Sequence, residues 1–212
     1  MLDLSPEKTL IFRITHVDNV PWLLQNGVHC RNSNQRDPNY REIGNPDLIA
    51  KRVHRSIPIS PGGTLSDYIP FYFTPYSPML LNIKTGFQGM RQTPMSEIVI
   101  LVASLPKLVE HGIRFVFTDR HAYVAAAQIS GDLADLPRID WTILKSRDFK
   151  RDPERPDKAE RYQAEALIHR LLPVPALLGI ACHDAAGKSR LDGEVARNGV
   201  SLKVVAKPDW YF

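Results

Sequence analysis

The chain contains very little cysteine, and its two cysteines are not spaced for a metal site or a disulfide framework. Cys30 and Cys182 lie far apart and outside any CxxC or Cys/His pattern, so we expect reduced thiols and no metal. No stretch approaches 18 consecutive apolar residues, so no membrane-spanning helix is predicted. Residues 1–14 carry charged side chains and lack a long apolar run, which argues against a signal peptide and favours a cytoplasmic protein.

Several common catalytic patterns are also missing. The sequence has no GxSxG nucleophile elbow, no HExxH zinc motif, no protein-kinase motif set and no DxD-type metal cluster. The turn at residues 61–63 (PGG) lacks the lysine and serine of a phosphate-binding P-loop. Hydrolase and metal-dependent chemistry are therefore disfavoured.

The composition is that of an ordinary globular protein. Hydrophobic residues make up 43% and charged residues 24% of the 212 residues, which predicts a substantial core and a single domain over residues 1–212. Lys and Arg outnumber Asp and Glu by 27 to 23, a net charge of +4. This mild surplus favours an anionic partner, such as a nucleic acid or a dinucleotide, if the charges cluster on one face.

The pattern of apolar residues and turn signals predicts a mixture of strands and helices. Strands are predicted over residues 9–15, 68–74, 97–103, 113–118, 177–183 and 200–206. Helices are predicted from an Asp18 N-cap to Gly27, after Asn45 and Pro46, over residues 105–111 and over residues 159–172. Residues 119–141 are expected to be partly helical, and the charged residues 145–158 to form a solvated loop.

Glu165 is a candidate for chemistry because it is flanked by two alanines. Glu165 is expected in the first half of the helix over residues 159–172 or at a strand edge, and an exposed glutamate that pairs with His169 or Arg161 is the ordinary interpretation. Small neighbours, however, let a ligand approach the carboxylate closely. Such access is needed by a group that holds a ribose hydroxyl or stabilises an oxocarbenium-like centre. Spacing alone leaves both interpretations open.

Cations and aromatic side chains supply further candidates. Arg52 could contact phosphate, with Lys51, Arg55 and Arg13 as further candidates, although a solvated helix face is the more common reason for such charges. Aromatic side chains alternate along one predicted strand, so that one subset would face the core and another could stack on a flat ligand. Residues 118–121 (TDRH) place polar groups at the end of a buried strand. The aromatic residues concerned are Tyr68, Phe71, Tyr72, Phe73 and Tyr76.

Six segments together resemble the DarT toxins, the DNA ADP-ribosyltransferases of bacterial toxin–antitoxin systems. They are residues 12–19 (FRITHVDN), 61–73 (PGGTLSDYIPFYF), 77–79 (SPM), 115–121 (FVFTDRH), 163–165 (QAE) and 207–212 (KPDWYF). Their order and spacing match nearly end to end. The resemblance implies an α+β, ADP-ribosyltransferase-like fold: a split mixed sheet with flanking helices and NAD in the central cleft.

The same resemblance implies the reaction and the partners. ADP-ribose from NAD would be attached to a base of single-stranded DNA, with thymidine favoured and guanine second, and nicotinamide would be released. The implied partners are single-stranded DNA and a cognate antitoxin that removes ADP-ribose or binds the toxin. No metal is implied. Residues 33–58 would cover NAD, and residues 147–162 would present the DNA.

Individual residues take roles by the same resemblance. Glu165 and Arg52 are implied to be catalytic, and this chain departs from the family pattern in having Arg13 where the relatives carry a histidine. The implied NAD contacts are Arg13, Thr15, His16, Asn19, Arg52 and Tyr72, and the implied substrate contacts are Asp119, Arg120, His121 and Tyr76.

Two other functions stay open from the residues themselves. A transferase that modifies protein side chains would be expected to carry a glutamate or glutamine two residues before the catalytic glutamate, and Gln163 occupies that position. A non-catalytic module that binds single-stranded nucleic acid would also suit the aromatic strand and the positive charge. Lack of NAD binding would favour the second alternative.

Overall fold

One eight-stranded sheet organises the computed structural model, which describes residues 3–212. The strand order is β10-β9-β4-β1-β3-β7-β5-β6, and a separate two-stranded sheet pairs β2 with β8. The pair β9 and β10 is parallel and the other pairs are antiparallel, so the sheet is mixed, as predicted. The strands are β1 Leu10–His16, β2 Val28–His29, β3 Tyr68–Tyr72, β4 Ile98–Ser104, β5 Phe115–Thr118, β6 Ile129–Ser130, β7 Glu165–His169, β8 Leu171–Leu172, β9 Gly179–Cys182 and β10 Lys203–Ala206.

The sheet splits between β1 and β3. These strands share a single paired position, Phe12 with Tyr72, whereas β1 pairs with β4 along all seven of its residues. The carbonyl of Pro70 in β3 accepts a hydrogen bond of 3.0 Å from Arg13 Nη1 of β1. Because proline has no N–H to donate, β3 cannot continue a regular ladder toward β1 at this point. A single proline thus accounts for the predicted division of the sheet.

Within residues 3–212, seven α-helices flank the sheets, and polar caps begin several of them. Asn45 caps α2 as predicted, since its side chain accepts from the backbone N–H groups of Asp47 and Leu48. Asp18 is not the cap of α1: it lies in a 3-10 turn over Val17–Asn19, and Asn19 precedes the α-helix. The helices are α1 Val20–Asn26, α2 Pro46–Arg52, α3 Pro78–Thr85, α4 Leu105–Glu110, α5 Trp141–Ser146, α6 Lys158–Arg161 and α7 Ala185–Arg197.

The predicted helix over residues 159–172 is wrong in its larger part. Only α6 is helical there, and Glu165 begins the strand β7. Residues 165–168 are all buried, because β7 lies between β3 and β5 and is covered on both faces. A strand of this kind has a continuous apolar run, so its sequence cannot be told from a buried helix by periodicity.

Two other regions differ from expectation. Within residues 119–141, the helical part is confined to the 3-10 segment Leu133–Arg138 and the start of α5. Helix α7 was not predicted, because its single buried apolar residue, Leu191, gives no amphipathic repeat. Within residues 3–212, none of the helices is both long and apolar enough to cross a membrane.

Candidate active site

The main pocket opens where the sheet splits. It has a volume of about 420 Å³, within the range of small-molecule sites, and β1 and β3 both contribute to its wall. Residues 31–44 form a loop along one side, which we call the covering loop, and α2 follows that loop into the pocket wall. The pocket is lined by Arg13, Thr15, Asn19, Arg52, Tyr72, His121 and Glu165, among others.

Glu165 lies at the bottom of this pocket in a fixed position. Its side chain is only 2% exposed, and Oε2 accepts a 3.0 Å hydrogen bond from Arg52 Nη1. Its other oxygen, Oε1, accepts a 3.0 Å bond from the Ala122 N–H and lies 3.8 Å from His121 Nδ1. Its own N–H donates to Thr118 Oγ1 at 3.1 Å. The carboxylate is therefore oriented at both oxygens, which a surface glutamate would not be.

The charge state of Glu165 follows from these neighbours. Burial by itself would raise the pKa of this carboxyl, but the Arg52 guanidinium, His121 and the Ala122 N–H outweigh burial and lower the pKa below its ordinary value. The desolvated surroundings and the Glu165 carboxylate raise the pKa of the nearby Tyr72 hydroxyl, so this phenol stays protonated. The pocket thus holds a carboxylate and a neutral phenol at neutral pH.

A pH dependence of stability follows for Glu165. Because its pKa is lower in the folded chain than the ordinary 4.5, the charged group stabilises the fold above about pH 4.5, and this contribution is lost as the pH falls through the folded pKa. We expect the melting temperatures of the wild type and Glu165→Gln to converge between about pH 6 and about pH 3. Thermal unfolding measures this, and a gap that stays constant or widens in acid would contradict it.

Arg52 is less solvated than a residue on a basic helix face. Its side chain is 15% exposed, and it points from the last turn of α2 toward Glu165. Its Nη2 atom is buried and finds no hydrogen-bond partner within residues 3–212. A buried guanidinium donor without a partner is costly, and an anionic or hydroxyl-bearing ligand would satisfy it. Lys51, one residue earlier, is exposed, as the solvated interpretation expects.

Arg13 and Asn19 shape the opposite side of the pocket. Arg13 spans the split through its bond to Pro70 and so links the two strands there. The Asn19 amide donates to Thr15 Oγ1 at 3.0 Å. It also donates to the Arg41 carbonyl at 2.9 Å and accepts from the Arg41 N–H at 2.8 Å. Asn19 therefore fixes the end of the covering loop against β1.

His16, predicted to contact NAD, lies outside the pocket lining. Its ring is buried beside Glu97, with 3.1 Å between His16 Nε2 and Glu97 Oε2. Its Nδ1 accepts from the Asp18 N–H at 3.1 Å, which caps the 3-10 turn. These contacts give His16 a structural position at the end of β1 rather than one facing the cavity.

The predicted substrate residues separate into two groups. His121 lines the pocket beside Glu165, whereas Asp119 and Arg120 are paired with each other at 3.1 Å and do not belong to the lining. Tyr76 is 3% exposed and outside the lining, with its hydroxyl bonded to the Asp209 carbonyl at 2.8 Å. The guanidinium of Arg147 lies 3.6 Å from the centre of the Tyr76 ring. Tyr76 thus contacts the residue that follows α5, and its role toward a substrate stays a prediction.

Sequence reasoning missed residues that act through their backbone or through burial. The Ala122 N–H that orients Glu165 carries no side-chain signal, and Thr118 was noted only as part of a polar turn. Ser66 lines the pocket with a buried hydroxyl that is unpaired within the described part of the chain. The one sequence signal for the neighbours of Glu165 was the position of residues 118–121 directly after a buried strand.

Comparison with known proteins connects this site to one family. Residues 12–212 match the family model described as "ssDNA thymidine ADP-ribosyltransferase, DarT". A curated DNA ADP-ribosyl transferase of Escherichia coli O127:H6 (strain E2348/69 / EPEC) is 48% identical over 209 residues, covering 99% of this chain and 96% of the relative. A DNA ADP-ribosyl transferase-DNA ADP-ribosyl glycohydrolase fusion protein of Thermosipho africanus is 23% identical, covering 95% of this chain and 49% of the fusion.

Solved structures agree over the whole fold. Thermus sp. 2.9 DarT in complex with ADP-ribosylated single-stranded DNA superposes with a TM-score of 0.90 at 30% identity, covering all of both chains. The same protein in complex with NAD+ gives a TM-score of 0.82 at 31% identity, covering 98% of this chain and all of the other. These matches confirm the predicted ADP-ribosyltransferase-like architecture. The chain belongs to the DarT family of single-stranded DNA thymidine ADP-ribosyltransferases.

Proposed function

We propose that this chain transfers ADP-ribose from NAD to a thymine base of single-stranded DNA, with Glu165 and Arg52 as its catalytic residues. The observation that carries the proposal is the buried Glu165–Arg52 pair at the point where the sheet splits. Both groups face a cavity of suitable size, and Arg52 keeps a second donor without a partner among residues 3–212. A site with these features can hold the donor and stabilise charge that develops during transfer.

NAD is the donor substrate, and the pocket residues fit its chemistry. Arg52 and Arg13 supply guanidinium donors suited to a pyrophosphate or a ribose hydroxyl. Tyr72 presents a neutral aromatic ring suited to the nicotinamide. Asn19 and Thr15 serve mainly to hold the covering loop along the donor side. Holding NAD in one orientation lowers the entropic cost of bringing its ribose C1 and the DNA base together.

The transfer exchanges one glycosidic bond for another. The bond between the ribose C1 and nicotinamide breaks, and its electron pair leaves with nicotinamide. Positive charge then develops at C1, close to the carboxylate of Glu165. A ring nitrogen of the base forms the new bond to C1, and its proton passes to Glu165 or to water. The carboxylate can orient the ribose hydroxyls in the same step, since its lowered pKa keeps it ionised.

Single-stranded DNA suits this chemistry better than duplex DNA. The ring N–H of thymine lies on the edge that pairs with adenine, so it is free for attack only when the base is unpaired. Guanine is the second candidate, because it too has a ring N–H on its pairing edge. Thymine is preferred because the matching family model is described for thymidine.

A direct assay tests the proposal. The purified chain is incubated with NAD and single-stranded oligonucleotides that contain one reactive base each, with matched duplexes in parallel, and products are weighed by mass spectrometry. The expected product is one added ADP-ribose on thymine-containing single strands. If no oligonucleotide gains ADP-ribose, or if duplexes react equally well, the proposed substrate is wrong.

The two alternative functions have less support from the site. A protein-directed transferase would need Gln163 free to meet its substrate, but the Gln163 amide donates to the Ala159 carbonyl at 2.9 Å. A non-catalytic binding module gives no reason for a carboxylate that is fully buried, ionised and oriented at both oxygens. The relatives are also DNA ADP-ribosyl transferases by name.

The partner and location belong to the same proposal. One relative is fused to a DNA ADP-ribosyl glycohydrolase, an activity that would reverse the modification. We infer that this chain acts as a toxin whose antitoxin removes ADP-ribose from DNA or binds the toxin, in the cytoplasm where DNA is available. We expect cells that express the wild type to grow poorly. Glu165→Ala and co-expression of the antitoxin should each restore growth.

A further inference from the structure

A tight turn beside Glu165 carries an aromatic ring at the mouth of the pocket. Tyr123 lines the pocket, yet 38% of its surface stays exposed. Tyr68, which also lines the pocket, is buried in a small apolar cluster with Leu65, Val116 and Leu167. Core packing therefore explains Tyr68 but does not explain Tyr123.

Inner contacts fix the backbone of this turn to the catalytic carboxylate. The N–H of Ala122 donates to Glu165 Oε1, and the next N–H, that of Tyr123, donates to His121 Nδ1 at 3.2 Å. The N–H of Val124 closes the turn on the His121 carbonyl at 3.0 Å. Tyr123 is thus held two residues from a side chain that lies beside the reacting carboxylate.

Outer contacts fix the same turn from two other elements. Arg55, which follows α2, donates from Nη2 to the Val124 carbonyl at 3.1 Å. The N–H of His121 donates to the Glu160 carbonyl of α6 at 2.9 Å. Because three separate parts of the chain hold it, the turn presents the Tyr123 ring on a rigid base.

A rigid, partly exposed aromatic ring at the mouth of a site is suited to stacking on a flat ligand. Little entropy is lost on binding, because the turn is already ordered and a tyrosine has only two side-chain torsions. Every nucleobase has a π face, so stacking does not depend on base identity. Bases in a duplex already stack on both sides, and a ring of this kind therefore selects unpaired strands.

The surroundings favour a DNA base over the adenine of NAD as the stacking partner. The turn is bonded to the Glu160 carbonyl of α6, and no residue of α6 belongs to the pocket lining. The donor side is formed instead by β1, the covering loop and Arg52. A strand that approaches from solvent toward Glu165 meets the mouth of the pocket, where Tyr123 is exposed.

We propose that the Tyr123 ring stacks on a DNA base that neighbours the modified one, and so contributes to the affinity for single strands. This inference rests on the proposed DNA-directed function. It assigns to Tyr123 contact with the DNA strand rather than a part in bond making. The role needs the aromatic ring but not the hydroxyl group.

The first test compares three variants in the transfer assay. Tyr123→Ala is expected to raise the KM for a single-stranded oligonucleotide about 10-fold, the order of one lost base stack, with little change in the KM for NAD. Tyr123→Phe should stay near the wild type, because the ring is kept. The matched control is Phe87→Ala, which removes an aromatic residue that is 59% exposed and lies outside the pocket lining. This control should leave both KM values unchanged.

The second test locates the base that stacks. Oligonucleotides carrying one abasic position at each nucleotide around the reactive thymine are assayed with wild type and Tyr123→Ala. One neighbouring abasic position should weaken the wild type by about the same factor as Tyr123→Ala, and it should have little further effect in that variant. Losses that multiply at every position would overturn the inference, because the ring and the missing base would then act independently.

Other outcomes are equally clear. An unchanged KM for DNA in Tyr123→Ala overturns the inference, as does a rise in the KM for NAD with none for DNA, which would assign the ring to adenine. Both results leave the proposed function intact, because the wild type still modifies DNA. Absence of any adduct with the wild type is a different result, and it overturns the proposed function itself.

Discussion

Replacing Glu165 with glutamine is expected to lower the rate of ADP-ribose transfer to DNA by roughly 1,000-fold. Glutamine keeps the size of the side chain and an oxygen for the Ala122 N–H, but it removes the negative charge that faces the ribose. NAD binding, measured by calorimetry, should change much less than the rate. The variant therefore separates charge stabilisation from occupancy of the pocket.

The matched control for this variant is Glu110→Gln. Glu110 ends α4, and its side chain is 66% exposed and paired with Lys107 on the surface. Exposed pairs of this kind contribute little to stability, so the control should retain wild-type activity. Transfer by Glu165→Gln within about 10-fold of the wild type would remove Glu165 from the catalytic role.

Nicotinamide release without DNA distinguishes two roles for Glu165. If the carboxylate stabilises positive charge at the ribose, slow hydrolysis of NAD should fall along with transfer in Glu165→Gln. If it acts only as a base toward thymine, hydrolysis should persist while transfer is lost. We expect both to fall, because the lowered pKa makes this carboxylate a weak base while its negative charge still faces the ribose.

Replacing Arg52 with alanine is expected to lower kcat/KM for NAD roughly 100-fold or more. The change removes the donor to Glu165 together with Nη2, which has no hydrogen-bond partner among residues 3–212. It also leaves a buried carboxylate without its cation, which costs about 3–5 kcal/mol in the free energy of unfolding. Without the guanidinium, burial should dominate and raise the pKa of Glu165.

Arg52→Lys tests whether the second guanidinium donor matters. Lysine can keep the charge pair with Glu165, but it offers a compact ammonium in place of a planar fork. We expect stability to recover largely and activity only slightly. Lys51→Ala is the control, since Lys51 is exposed one residue earlier on α2. Full activity in Arg52→Lys would show that charge alone suffices and that the second guanidinium nitrogen, Nη2, has no role in binding NAD.

Local signals in the sequence predicted several elements well. Asn45 and Pro46 begin α2 as expected, because a side-chain cap and a fixed φ act within one helical turn. The strands β1, β3 and β4 follow the predicted apolar runs to within one or two residues. The ordered motifs also identified the family, which the matching model and the relatives confirm.

The secondary structure around Glu165 could not be predicted in the same way. Its apolar neighbours Leu167 and Ile168 fit helical spacing, but they lie in a strand covered on both faces. The spacing of polar and apolar residues shows secondary structure only where one face of the element is exposed to water. A strand that is buried on both faces has no such alternation. Only the pairing of β7 with β3 and β5 resolves the ambiguity.

What the sequence by itself determined was the set of residue types, the local caps and turns, and the proline that divides the sheet. The tertiary structure alone decided that Glu165 and Arg52, 113 residues apart, form one buried ion pair. It also left His16 and Tyr76 buried outside the pocket lining and Tyr123 exposed at the pocket mouth. The physical reason is that local propensities act over a few residues, whereas burial, charge pairing and access to a cavity depend on which distant segments pack together.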